Sequence, residues 1–328
     1  MYGIKPGDTI GIVSPSAPIA GYCPKRLERG VHVLEVLGYK VKIGENVSKI
    51  SGYTAGTVAE RVSDIHNMFT DKEVRAIIAT IGGYSANDLL DKLDYKLIAD
   101  NNKLFIGYSD ITVLHSAFSK KSGIKTIMGP MILPQFGEFP ELQAFTKDSF
   151  QTVIQKIGSG EKYFFPKSEQ WTEEMLFWDK DDIRARETEK NDGWKIINAG
   201  KTRGKLIAGN LNTLTKLIGT PYLFDMNDAI FFLEDDDCEF PATIQRMLLQ
   251  LRQAGLLNGV RGFIFGRFQK KSGVTEEKIK NIFEVLYESV TVPVIMGVDF
   301  GHTDPMISLP IGSDVEVDTE KKEIVAIL

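Results

Sequence analysis

Apolar and polar positions alternate along the first hundred residues in a rhythm that predicts strand, helix, strand, helix. Residues 8–14 form a short apolar run ending in a Ser/Pro loop, and residues 25–37 carry apolar side chains at helical spacing until Gly38 closes the element. Residues 39–43 alternate as a strand does, 59–69 read as a helix, 76–81 as a buried strand, and 87–93 begin another helix. This βαβα order predicts an α/β fold: a doubly wound, mostly parallel sheet with helices on both faces. Ligands in such folds gather beyond the carboxyl ends of the strands.

Around residues 160–203 the rhythm breaks into a charged stretch holding Trp171, Trp178 and Trp194, which reads as a linker with a functional loop. Beyond it, residues 204–210, 229–234, 262–266, 293–297, 313–318 and 323–328 read as strands, and 243–254 as an amphipathic helix. The expected division is an N-terminal α/β domain over 1–160, a linker and substrate loop over 161–203, and a C-terminal α/β or barrel-like domain over 204–328. A length of 328 residues agrees with about two domains.

Composition narrows the class. With 43% hydrophobic and 25% charged residues the chain is an ordinary globular one that buries a sizeable core. The net charge of −5 comes without a basic stripe, so no nucleic-acid partner is expected. A charge and a turn stand near the N-terminus where a secretory signal needs an apolar run, and no stretch reaches the ~20 apolar residues of a membrane helix. The expectation is a cytoplasmic protein without a membrane partner. Cys23 and Cys238 lack any paired spacing and are expected as free thiols.

The stretch Lys103-Leu-Phe-Ile-Gly-Tyr-Ser109-Asp110 is an apolar strand running into a turn and then a helix, with a serine at the turn. That layout suits a nucleophile elbow, in which amides of the following helix N-terminus face a developing oxyanion. Ile111 stands where G-x-S-x-G has its second glycine, and a plain helix cap by Ser109 is the alternative. A serine nucleophile requires a base. Of four histidines, His32, His66 and His115 fall within helical patterns, whereas His302 lies in the glycine-rich loop Gly297-Val-Asp-Phe-Gly-His302-Thr-Asp-Pro after a strand. Either it is the base or a loop histidine without a task.

Glu234 ends the strand 229–234 and could orient that imidazole. Asp235, Asp236 and Asp237 follow it, so a solvated acidic turn or a hard-cation site competes, although the alternate ligand spacing of such sites is missing. Thr80-Ile-Gly82-Gly83-Tyr84-Ser85 is a strand followed by a Gly-Gly turn. It reads equally as a phosphate loop, an oxyanion donor or a simple turn.

Together these pieces resemble the LD-carboxypeptidase family of serine peptidases, which includes the microcin C immunity proteins. The resemblance runs through Gly11-Ile-Val-Ser-Pro-Ser-Ala-Pro, Glu60-Arg61 with Asp64, Ile81-Gly-Gly-Tyr, Gly107-Tyr-Ser-Asp-Ile-Thr, Gly204-Lys-Leu-Ile-Ala-Gly-Asn-Leu-Asn-Thr-Leu, Leu233-Glu-Asp and Gly301-His-Thr-Asp-Pro. It implies a C-terminal domain containing a small β-barrel and a Ser109, His302 and Glu234 triad. It also implies oxyanion amides at Gly83 and Asp110, substrate contacts at Gly82, Tyr84, Ser85, Trp178 and Asn210, no metal or organic cofactor, and a homodimer. One branch of the family removes terminal D-alanine from murein tetrapeptides. The other cleaves the acyl link of peptidyl or aminoacyl nucleotides and carries a loop tryptophan that stacks on the base. Phe177-Trp178-Asp179 and Asn191-Asp-Gly-Trp194 resemble the second branch, while the Gly82-Gly83-Tyr84 start resembles the first. A two-domain ligand-binding protein without catalysis, or a Mg²⁺-dependent phosphate-handling enzyme, would be the readings from other classes.

Overall fold

The alternating apolar runs of the first half assemble into one six-stranded sheet. The computed structural model describes residues 3–287 and 289–328. Strands run in the order Leu309–Ile311, Thr126–Met128, Leu104–Gly107, Val74–Ala79, Thr9–Val13 and Lys40–Ile43, all parallel except the first. Ile10, Ile12, Ile77, Ile78, Phe105 and Ile106 are fully buried, because helices cover both faces and leave no room for a polar alternation. Helix Pro24–Val36 begins on a proline, and helix Val58–Thr70 on a capping box in which Thr57 and Glu60 satisfy each other's end of the turn. The helix expected over 87–93 is only the single turn Ala86–Leu89. The amides of Ser85 and Ala86 are drawn onto Asp110, and Asp94 caps a separate helix, Tyr95–Asp100, so one turn is all that fits between them.

A second sheet holds eight strands in the order Lys162–Phe164, Glu323–Ile327, Asp314–Asp318, Lys201–Asn210, Ala229–Glu234, Gly262–Gly266, Val294–Val298 and Lys195–Asn198. From Lys201–Asn210 to Val294–Val298 the strands are parallel, and the outer ones are antiparallel. The molecule is therefore of mixed α/β class, with parallel-strand sheets in two domains. The small barrel expected of the C-terminal half takes the form of an open sheet: its terminal strands, Lys162–Phe164 and Lys195–Asn198, lie at opposite ends of the order and do not pair with each other.

The chain crosses the expected boundaries twice. Residues 161–203, read as a linker, supply both edge strands of the second sheet and a two-stranded ribbon of Gln170–Trp171 with Glu189–Lys190. Conversely, Leu309–Ile311 leaves the C-terminal half to complete the first sheet against Thr126–Met128.

Arg61 ties together the loops at the carboxyl ends of two central strands of the first sheet. Its buried guanidinium donates to the Pro15 and Ser85 carbonyls, each at 2.9 Å, to Ser85 Oγ at 3.1 Å and to Asp88 at 3.0 Å. Arg61→Met leaves two carbonyls without their charged donor and should lower unfolding stability by about 2–4 kcal/mol. The check is the midpoint of a urea unfolding curve, with an unchanged midpoint counting against the role.

Candidate active site

Strand Leu104–Gly107 delivers Ser109 to the carboxyl edge of the first sheet. Tyr108 is extended, Ser109 takes the left-handed backbone conformation with φ 62°, and a short 3₁₀ turn then leads into helix Thr112–Ser122. A non-glycine residue in that region is held there only by its surroundings, and a sharp strand-to-helix turn of this kind throws the side chain outward. The capping alternative does not describe this hydroxyl. Tyr108 and Ile111 occupy the cap positions and neither uses a side chain. Gly82 lies against the turn so closely that a β-carbon on it would come within 2.9 Å of Ser109 Cβ and 3.1 Å of the Asp110 nitrogen. Only glycine fits there.

Ser109 Oγ lies 3.2 Å from His302 Nε2, and His302 Nδ1 lies 2.6 Å from Glu234 Oε2. Residues 193 and 68 apart in the chain are thus brought into one hydroxyl, imidazole and carboxylate series. Glu234 stands at the end of its strand with its side chain 1% exposed. The Tyr108 ring abuts the imidazole edge-on, with ring centroids 5.3 Å apart. The other histidines do different work. His115, fully buried, donates Nε2–H to the Gly107 carbonyl, and burial lowers its pKa to about 4. His66 accepts from the Asp94 amide.

Burial alone would lower the pKa of His302. The charge and hydrogen bond of Glu234 outweigh it, with Asp236 and Asp235 adding, so the imidazole is raised to about 9. Asp235 moves in the opposite sense to an exposed aspartate: burial first, then the Glu234 charge, push its carboxyl up to about 7. That carboxylate accepts from Asn210 Nδ2 at 2.8 Å and from the Asn212 amide at 2.9 Å.

The Gly82-Gly83 loop is anchored to the serine turn by the Asp110 side chain. One oxygen of that carboxylate accepts from Ser16 Oγ at 2.5 Å and from the amides of Ser85 and Ala86 at 2.9 Å each. Gly83 has φ 150°, and a β-carbon there would meet Ser16 Oγ at 2.5 Å. Its amide donates to no protein acceptor among the described residues. Gly82, Gly83, Tyr84 and Asn210 all line the cavity over Ser109. Ser85 does not. It is buried behind the loop with its hydroxyl on Arg61, because the chain turns away from the cavity after Tyr84. Asn210 is buried as well, with its amide group shared between Asp235 and the Thr213 amide it caps.

The cavity measures about 730 Å³, and Trp178 is the one tryptophan in its wall. Trp171 and Trp194 are buried elsewhere. The same wall holds a group of charges that sequence patterns missed, with Arg26, Glu138, Arg186 and Asp304 lining the cavity beside Trp178. Arg26 pairs with Asp182 and Glu138 at 3.0 Å each, Arg186 with Glu138 at 3.0 Å and with Asp304 at 2.8 Å, and Gln135 joins Asp304 to the Tyr108 hydroxyl at 3.1 Å on either side. Most of these partners lie more than a hundred residues apart, and even Gln135 and Tyr108 are 27 apart, so no local spacing signals such pairs. At the mouth, Asp236, Asp237 and Cys238 bring potential ligand atoms within 4.8 Å of one another. Asp237 accepts from Lys271 Nζ at 2.8 Å, and the Cys238 amide donates to Asp236 at 2.9 Å.

Residues 10–129 match the LD-carboxypeptidase N-terminal domain family, and residues 203–317 the corresponding C-terminal domain family. The chain is 35% identical to the microcin C7 self-immunity protein MccF of Escherichia coli over 97% of its own length and 92% of that protein. It is 34% identical to a probable murein peptide carboxypeptidase of Bacillus subtilis, over 98% and 92%. Solved structures of MccF in complex with glutamyl sulfamoyl guanosine and with aspartyl sulfamoyl adenosine superpose with a TM-score of 0.91 at 32% identity, covering 100% of this chain and 98% of theirs.

The His302 environment predicts a pH dependence. If His302 serves as a base it must be neutral to accept a proton, so kcat/KM should climb with pH along a limb whose midpoint lies above 6.5 and toward 9. Glu234→Gln should move that midpoint down, since only Asp236 and Asp235 then oppose burial, and reduce kcat by roughly two to four orders of magnitude. A limb at or below 6.5 in the unaltered enzyme contradicts the assignment. Stability follows the same sign: the imidazolium–carboxylate contribution is complete below about 6.5 and is lost as pH climbs toward 9.

Proposed function

The chain belongs to the LD-carboxypeptidase family of serine peptidases, and we propose that within it the protein cleaves the acyl link of peptidyl or aminoacyl nucleotides, using Ser109, His302 and Glu234. The observation that carries this reading is the continuous series of hydroxyl, imidazole and buried carboxylate opening into a cavity walled by Trp178. In the proposed reaction Ser109 Oγ attacks the acyl carbonyl carbon while His302 Nε2 takes its proton. Glu234 holds Nδ1–H and stabilises the imidazolium. The oxyanion is received by the Asp110 amide and by the Gly83 amide, which is otherwise without an acceptor among the described residues. His302 then returns the proton to the departing nitrogen or oxygen of the nucleotide portion. Water repeats the sequence on the acyl-enzyme and frees Ser109.

MccF, similar to this chain along nearly its whole length, binds aminoacyl sulfamoyl nucleosides with either of two bases. A planar indole suits that tolerance, since every base has a face to stack on and each stack is worth about 1–3 kcal/mol. Removal of D-alanine from murein peptides is the second reading, favoured by the near-equal similarity to the Bacillus subtilis relative. Under either reading we propose a metal-independent enzyme acting in the cytoplasm as a homodimer, on the strength of the family resemblance.

Two measurements test the reading. A fluorophosphonate should add to the intact protein at a single site and fail to add to Ser109→Ala, whose turnover should fall by several orders of magnitude. An equal adduct on both proteins would sink the nucleophile and favour a binding protein. Offered a murein tetrapeptide and an aminoacyl-sulfamoyl adenosine side by side, with EDTA present, the enzyme should consume the nucleoside. Consumption of the tetrapeptide alone would move the assignment to the cell-wall branch.

A further inference from the structure

Helix Pro24–Val36 starts without a cap of its own. Its cap residue, Cys23, makes no side-chain hydrogen bond to the helix, Pro24 has no amide hydrogen, and the first internal bond runs from the Leu27 amide to the Cys23 carbonyl. The amides of Lys25 and Arg26 are left over, as at every helix start. Asp179 takes both. Its two carboxylate oxygens accept from Lys25 N and Arg26 N at 2.8 Å each, across more than 150 residues of chain. To reach them Asp179 adopts the left-handed backbone conformation, φ 59°, within a turn closed by the Lys180 and Asp181 amides on the Phe177 carbonyl.

Trp178 is the residue immediately before that bidentate contact. Its ring lies under the Arg26 guanidinium, 4.3 Å from carbon to ring centroid. Arg26 itself is fixed, since Nε donates to the Leu133 carbonyl at 2.6 Å while its terminal nitrogens reach Asp182, Glu138 and the Pro134 carbonyl at 3.0 Å each. Asp182, 2% exposed, is also held by Arg29. One helix end therefore grips the loop at three points: a carboxylate on its free amides, an indole on its first arginine, and a second carboxylate between two arginines. With one ring face against Arg26, the indole surface in the cavity wall is offered in a single orientation.

We infer that Asp179 is a positioning residue for nucleobase recognition, capping helix Pro24–Val36 from the substrate loop so that Trp178 stands ready to stack. This rests on the nucleotide reading above. Asp179 touches neither the hydroxyl of Ser109 nor the imidazole of His302, so its effect is confined to binding. A preset ring needs no ordering when substrate arrives, which is where the affinity comes from.

The test compares KM and kcat for an aminoacyl-sulfamoyl adenosine and for the same compound with ribose but no base. Asp179→Ala should raise KM for the base-bearing compound about five- to tenfold with kcat within twofold, the size of a lost helix cap. It should leave both constants for the baseless compound within twofold. Asp179→Asn, which keeps one acceptor, should fall between. Trp178→Ala should match or exceed Asp179→Ala, and the double variant should be no worse than Trp178→Ala alone. If Trp178→Ala raises KM for the base-bearing compound and Asp179→Ala does not, the inference fails while the nucleotide reading stands. If Trp178→Ala changes neither compound, both fail. A drop in kcat for both compounds with Asp179→Ala would mark a general structural role and overturn the positioning role.

Discussion

The imidazole of His302 is reached from two sheets at once, and the geometry around it depends on that double attachment. The segment carrying it leaves the second sheet after Val294–Val298 and enters the first at Leu309–Ile311. In between it is pinned on both sides: Ile307 N to the Asp299 carbonyl, Asp304 to Thr172 by a two-way backbone bridge, and Met306 N and Ser308 N to the hydroxyls of Thr146 and Ser149 at 2.9 Å. A contact of 3.2 Å between residues from different sheets survives only where neither can drift. The same fixing keeps Glu234, on a strand of the second sheet, at 2.6 Å from the other ring nitrogen.

Much of this was legible from residue order alone, and the legible part is the local part. Strand 229–234 has the bounds its apolar run predicts, and the turn at Ser109 follows from an apolar strand meeting a helix-forming run. Asp110 shows the limit. Its amide is expected at the oxyanion position, whereas its carboxylate, which holds the Gly-Gly loop through Ser16, Ser85 and Ala86, carries no sequence signal, Ser16 lying 94 residues away. Ser85 is illegible for the same reason, since its hydroxyl is drawn to the interior by Arg61, a residue of helix Val58–Thr70 that lies 24 positions earlier. The stretch 161–203 reads as a linker because the strands that lie wholly within it are two to four residues long, too short for an alternation to stand out.

The charged group in the cavity wall beside Trp178 is the largest feature that sequence patterns could not have revealed. Burying Arg26, Asp182, Glu138, Arg186 and Asp304 is costly unless each finds a partner, and ion pairs of this kind add little stability over an apolar packing. What they supply is direction. Each arginine admits few geometries, so the loop that supplies Asp182 and Arg186 can seat in one way. Burial still pushes the Glu138 carboxyl up despite two neighbouring arginines, a measure of how dry the group is.

Strand Leu309–Ile311 has a consequence for biosynthesis. It covers the flank of Thr126–Met128, the neighbour of the strand that leads to Ser109. While the polypeptide emerges from the ribosome, residues up to 128 can collapse early, but their sheet keeps an unsealed border until Ile311 has been delivered almost two hundred residues later. An uncovered strand border is an adhesive surface, so the nascent half-protein is the species most exposed to wrong partners. A truncated product ending before residue 309 inherits that hazard permanently, even with every residue of the first family domain, 10–129, intact.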